Sequence, residues 1–100
     1  MVREKDLICQ KTLESILAKE FPSTYFSFGK YSEEAVCMEQ NEDNWVVYVG
    51  IRNKEDNPLV YSTVIEACLG MIRRLTVADK QREKSIVNVF LDQILLPKTA

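Results

Sequence analysis

Fifteen carboxylates, three thiols and no histidine are what this chain offers for chemistry. Without imidazole, Ser-His-Asp and Cys-His nucleophilic catalysis are excluded, as is every zinc or iron site that needs a histidine ligand. Cys9, Cys37 and Cys68 are odd in number, lack CxxC spacing and sit inside apolar patterns. They read as buried, inert thiols of a reducing compartment. The adjacent carboxylates Glu33-Glu34 and Glu42-Asp43 fall where strand ends and turns are expected, so they read as solvated turn residues rather than an acid–base pair. No EF-hand spacing is present, and Gly29, Gly50 and Gly70 are isolated, so no phosphate-cradling loop exists. No cofactor or metal is expected.

Charge is the more informative property. The formal net charge is −2 over 100 residues. Residues 1–29 balance to zero. Residues 30–66 set Lys30, Arg52 and Lys54 against eight carboxylates, and residues 67–100 set six cations against three carboxylates. An acidic middle is thus followed by a basic end. One reading makes both solvated faces; the other makes the middle a patch for a basic partner. The cluster Arg73, Arg74, Lys80, Arg82 and Lys84 is the best case for nucleic acid. It has no interleaved aromatics and reads more simply as a helix end and a solvated face. Tyr25, Phe26, Phe28, Tyr31, Trp45 and Tyr48 would allow base stacking on a sheet. An acidic strand region repels phosphate, however, and Phe26, Phe28 and one face of the Trp45 strand read better as core.

Positioning these residues requires a single domain over 1–100. A chain of this size buries about two-thirds of its surface, enough for a core without disulfides or metal. Cys9, Leu13, Ile16, Leu17 and Phe21 define a helical stripe over 5–20 that Pro22 stops. Residues 24–31 and 33–40 read as strands, Asn41 to Asn44 as a hairpin turn, and Trp45 to Ile51 as the strongest strand. On that strand Trp45, Val47, Val49 and Ile51 share one face, and Val46, Tyr48 and Gly50 the other. Residues 52–58 read as a charged loop, with Leu59-Val60-Tyr61 a short edge strand. A second helix is capped by Ser62 or Thr63 with Glu66, and Gly70 within it suggests close packing on the sheet. Asp79 caps a third helix, buried through Ile86, Val89, Phe90 and Ile94 and stopped by Pro97. The expected class is α+β: an N-terminal helix, a three-stranded antiparallel meander, and two C-terminal helices on the sheet. No run is long and apolar enough for a membrane span, and the charged start Met1 to Asp6 is not a secretory signal, so the cytosol is expected.

Residues 45–75 also resemble a known group. Trp45-Val46-Val47-Tyr48-Val49-Gly50-Ile51-Arg52, then Tyr61-Ser62, then Glu66-Ala67-Cys68-Leu69 and Ile72-Arg73-Arg74-Leu75 are similar to small cytosolic immunity proteins of bacterial polymorphic-toxin systems, including contact-dependent growth inhibition. The chain departs at Ile51-Arg52-Asn53, where the group often has Glu-Arg-Gly. The resemblance implies binding without catalysis: occlusion of a cognate toxin domain, often a basic nuclease. On that reading Glu33, Glu34, Glu39, Glu42, Asp43, Glu55 and Asp56 supply charge, and Tyr31, Tyr48, Tyr61 and Arg52 are the anchors where they are exposed. A second reading is a regulatory or structural protein-binding module that homodimerises through an uncovered sheet face or the edge near Leu59 to Tyr61.

Overall fold

A computed structural model describes residues 4–95. The expectations for Pro97 and for the first three residues lie outside that range. The chain runs α1 (Glu4–Glu20), a 3-10 turn (Ser23–Tyr25), β1 (Phe26–Phe28), β2 (Val36–Asn41), β3 (Asn44–Ile51), β4 (Lys54–Tyr61), α2 (Val64–Leu75) and α3 (Lys80–Leu95). The α+β class and the three helices match the sequence reading.

The sheet differs. It has four strands in the order β1-β2-β3-β4, and it is mixed: β1 runs parallel to β2, with Phe26 opposite Val36 and Phe28 opposite Met38. The three-stranded antiparallel meander is therefore corrected to a three-stranded antiparallel unit, β2 to β4, with β1 added in parallel. Residues 29–35 return the chain from the end of β1 to the start of β2. Residues 30–34 fold across the sheet there instead of continuing the strands expected over 24–31 and 33–40. Residues 52–58 are not a loop. Arg52 and Asn53 form a two-residue turn with φ of 52° and 64°, and β4 starts at once. Positive φ at both positions marks the primed turn whose twist matches the flanking strands.

β4 is an edge strand, bulged where Asn57 and Pro58 together oppose Tyr48. Asn57 takes φ 50°, as a bulge of this kind requires. Gly50 donates its N–H to Ala35 (3.0 Å) and accepts from Glu34 (2.6 Å), so its backbone faces β2. By alternation, Trp45, Val47, Val49 and Ile51 bond to β4, and the outward groups of β4 belong to Glu55, Asn57 and Val60. Pro58 has no N–H to offer, and Arg74 of α2 donates Nη2 to the Asn57 carbonyl. The middle of the edge is thereby blunted against further strand pairing.

All three helices pack on one face. Val36, Met38, Trp45 and Val47 meet Leu13 and Leu17 of α1, Cys68, Met71 and Ile72 of α2, and Ile86 and Phe90 of α3. Each such side chain contributes about 1.5–3 kcal/mol by leaving water. Phe26 joins this core and Phe28 packs against it, which places these aromatics inside rather than on a stacking surface. On α3, Val89 is 42 % exposed, contrary to expectation, while Val87 and Leu91 pack against the core. The buried stripe is Ile86, Val87, Phe90, Leu91 and Ile94, rotated toward the flank that meets α1 and α2. Ile51, at the turn and beyond the helices, is also exposed.

The helix caps follow the sequence. Thr63 Oγ1 accepts the Glu66 N–H (3.2 Å) and donates to the Glu66 carboxylate (3.0 Å). Asp79 accepts the Arg82 N–H (3.0 Å), leaving the Arg82 guanidinium free to pair with Glu20 (3.3 Å) and lie over Phe21 (4.2 Å). Gly70 lies on the Tyr61 ring: a Cβ there would come within 2.6 Å of Tyr61 Cζ.

Candidate interaction surfaces

The sheet face away from the helices carries a second, small cluster of Ala35, Cys37 and Tyr48, packed by Tyr31 and Val46. Residues 30–34 supply its cover. The Tyr31 ring stacks on Tyr48 with centroids 6.2 Å apart and planes 19° from parallel, and the Ser32 carbonyl lies against Gly50. Tyr48 is fully buried, so it is withdrawn as a partner anchor. Alternation rightly puts it opposite Trp45, but a segment remote in sequence folds over it. Its hydroxyl donates to the Glu39 carboxylate. Burial, then that bond and neighbouring negative charge, raise its titration far above the ordinary phenol range.

The carboxylates on this face are largely occupied. Glu33 accepts the backbone N–H of Arg52 (2.5 Å), that of Asn53 (3.0 Å) and the Tyr31 hydroxyl. The Tyr31 hydroxyl and these amides hold its carboxyl below the usual range. Glu33 is thus a clamp between the crossing segment and the β3–β4 turn. Glu39 serves Tyr48. Glu55 lies opposite Gly50, its charge among those acting on Tyr48, and stays exposed.

The other end of the sheet is different. Glu42 and Asp43 form the two-residue turn between paired Asn41 and Asn44, and both are exposed. Among the described residues neither carboxylate has an ion pair or a hydrogen bond. They border a groove of about 960 Å³ between the starts of α1 and α2 and the end of α3. Asp6 adds a third carboxylate and Lys5 a single cation; Ile8, Trp45 and Ile94 supply apolar wall. The sequence reading did not single out Asp6 or Ile8, and it weighed Trp45 only as core or as a base-stacking residue. Its available signal was the lone tryptophan two residues after an acidic turn.

Of the remaining expected site residues, Tyr31 and the Arg52 backbone belong to the open-face cover already described, while Glu34, Asp56 and Tyr61 join neither surface. Glu34 is exposed in the crossing segment with φ 57°. Asp56 is exposed opposite Val49, whose side chain packs on the helix-side core. Arg52 is exposed, and its backbone serves the Glu33 clamp. Tyr31 and Tyr61 are half-buried, Tyr61 beneath α2. The acidic middle segment therefore divides rather than forming one patch. In the basic cluster, Arg74 is drawn to Asn57 and Arg82 to Glu20 and Phe21, which leaves Arg73, Lys80 and Lys84 outward.

Burial raises the titration of Cys9, Cys37 and Cys68, so all three are neutral thiols at neutral pH and poor nucleophiles. Among the described residues no three Cys, Asp or Glu are grouped to hold a metal ion, and no described helix is long and apolar enough to cross a membrane. No family model, curated protein or solved structure matches the chain.

Proposed function

We propose that this chain is an immunity-type inhibitor: a non-catalytic protein that binds a cognate bacterial toxin domain in the cytosol and occludes it through acidic surface. The observation that supports this best is the group of carboxylates Asp6, Glu42 and Asp43 around one groove, none of them with an ion pair or hydrogen bond among the described residues. Solvated acids with no internal partner are available to a basic protein, and their field accelerates encounter. A basic nuclease domain fits that charge. The resemblance of residues 45–75 to immunity proteins points the same way. The test is coexpression with a candidate toxin domain from a neighbouring reading frame. A stable complex and rescue of growth are expected; toxicity undiminished and no complex would overturn the reading.

Self-association is the second reading, favoured by Leu59 and Val60, which are exposed on the edge strand. The blunted middle of β4 restricts any such pairing to its ends. Light scattering over a wide concentration range checks it, with a mass that doubles as concentration rises expected for a dimer.

A further inference from the structure

We infer that the groove between the β2–β3 turn and the ends of the helices seats an extended, cationic peptide segment of the partner, with arginine or lysine side chains alternating with apolar ones. This rests on the inhibitor reading and names its contact.

Three observations carry it. The first is charge: Asp6, Glu42 and Asp43 face a single Lys5 there, and neither the Glu42 nor the Asp43 carboxylate has a partner among the described residues. The three acids are not gathered closely enough for a metal ion. Spread carboxylates fit guanidinium or ammonium groups spaced along a chain. The second is Trp45. It is 3 % exposed, yet it lines the groove, and its indole N–H meets no acceptor among the described residues. The indole N–H is not among the fully buried side-chain atoms without a partner, so water reaches it from the groove, and a peptide carbonyl there would take that water's place. The third is apolar surface: Ile8 is 54 % exposed and shares the groove with Ile94, giving an adjoining aliphatic side chain a place to leave water. The volume is that of a site for several side chains, not a single ion.

Trp45 is the only tryptophan in the chain, so its indole resonance and fluorescence report this groove alone. The probe is a capped hexapeptide alternating leucine and arginine, with a citrulline-for-arginine counterpart as the neutral isostere. Titrated into the isotopically labelled protein at low salt, the arginine peptide is expected to shift the Trp45 indole signal together with the Glu42 and Asp43 amides. The citrulline peptide is expected to bind at least ~10-fold more weakly, and so is the arginine peptide to the Glu42→Gln/Asp43→Asn variant, whose spectrum shows whether it is folded. An unmoved indole signal, or equal binding by the variant, overturns the inference. The same signal is then read in the complex with the toxin domain. A complex that leaves Trp45 unmoved overturns the groove and leaves the inhibitor reading standing. Peptide binding without any toxin complex supports the groove and removes the inhibitor reading.

Discussion

At the open face of the sheet, Glu33 accepts three hydrogen bonds and Glu39 holds the hydroxyl of a buried tyrosine. At the β2–β3 turn, the Glu42 and Asp43 carboxylates hold nothing among the described residues. The two regions come from one acidic stretch and share a charge sign, yet the fold has claimed one set and left the other in water. A count of acidic residues in the sequence cannot separate them. Net charge says how strongly a partner is drawn; hydrogen-bond occupancy says which carboxylates are available when it arrives.

The sharpest way to break this contrast is at Tyr48. If the open face is structural, Tyr48→Ala destabilises the protein by about 3–5 kcal/mol, measured by urea unfolding. A loss below ~1 kcal/mol would mean that the small cluster beneath residues 30–34 contributes little. Gly50→Ala presses a methyl group against the Ser32 carbonyl, a backbone atom, and is expected to lower stability by about 1–3 kcal/mol. The crossing segment must shift to relieve it, so loss of the Tyr31–Tyr48 ring-current shift in the proton spectrum is the second readout.

Glu33→Gln addresses the clamp through its pH dependence. The folded carboxyl titrates below its ordinary value of 4.5. Its contribution is therefore fully present above that value and is lost as pH falls through the lower folded one. The stability gap between native protein and variant is expected to be widest near neutral pH and to narrow in acid, as followed by urea midpoints from pH ~7 to pH ~3. A gap independent of pH would place the role of Glu33 elsewhere. Glu42→Lys and Asp43→Lys complete the series. They are expected to change stability by no more than ~0.5 kcal/mol, while slowing association with a basic partner about tenfold at low salt. A large stability loss would show that the turn carboxylates are also committed to the fold.

Much of this architecture was legible. The stripe of α1, the Thr63–Glu66 and Asp79 caps, and the alternation along β3 are local signals that tertiary structure left intact. What was hidden depends on remote neighbours. Lys54-Glu55-Asp56-Asn57-Pro58 has poor strand propensity and becomes a strand because β3 offers a ladder across the Arg52-Asn53 turn. Phe26 to Phe28 lie parallel to β2 because of where residues 29–35 travel, which no periodicity records. Tyr48 looked like surface because its cover comes from Tyr31 and Ser32. The acidic residues were visible as acidic, but whether Glu33 or Glu42 was spoken for depended on backbone amides twenty residues away in one case and on their absence in the other.

The Glu33 clamp also sets a clock. The amides of Arg52 and Asn53 sit at a hairpin tip, where backbone protons ordinarily trade with solvent freely. Here both are held by one carboxylate carried on the segment that joins β1 to β2. Their hydrogen exchange is expected to slow for as long as that carboxylate holds them, and if release requires the segment to lift from the sheet, two protons on one side of the molecule time an opening that would also uncover Tyr48.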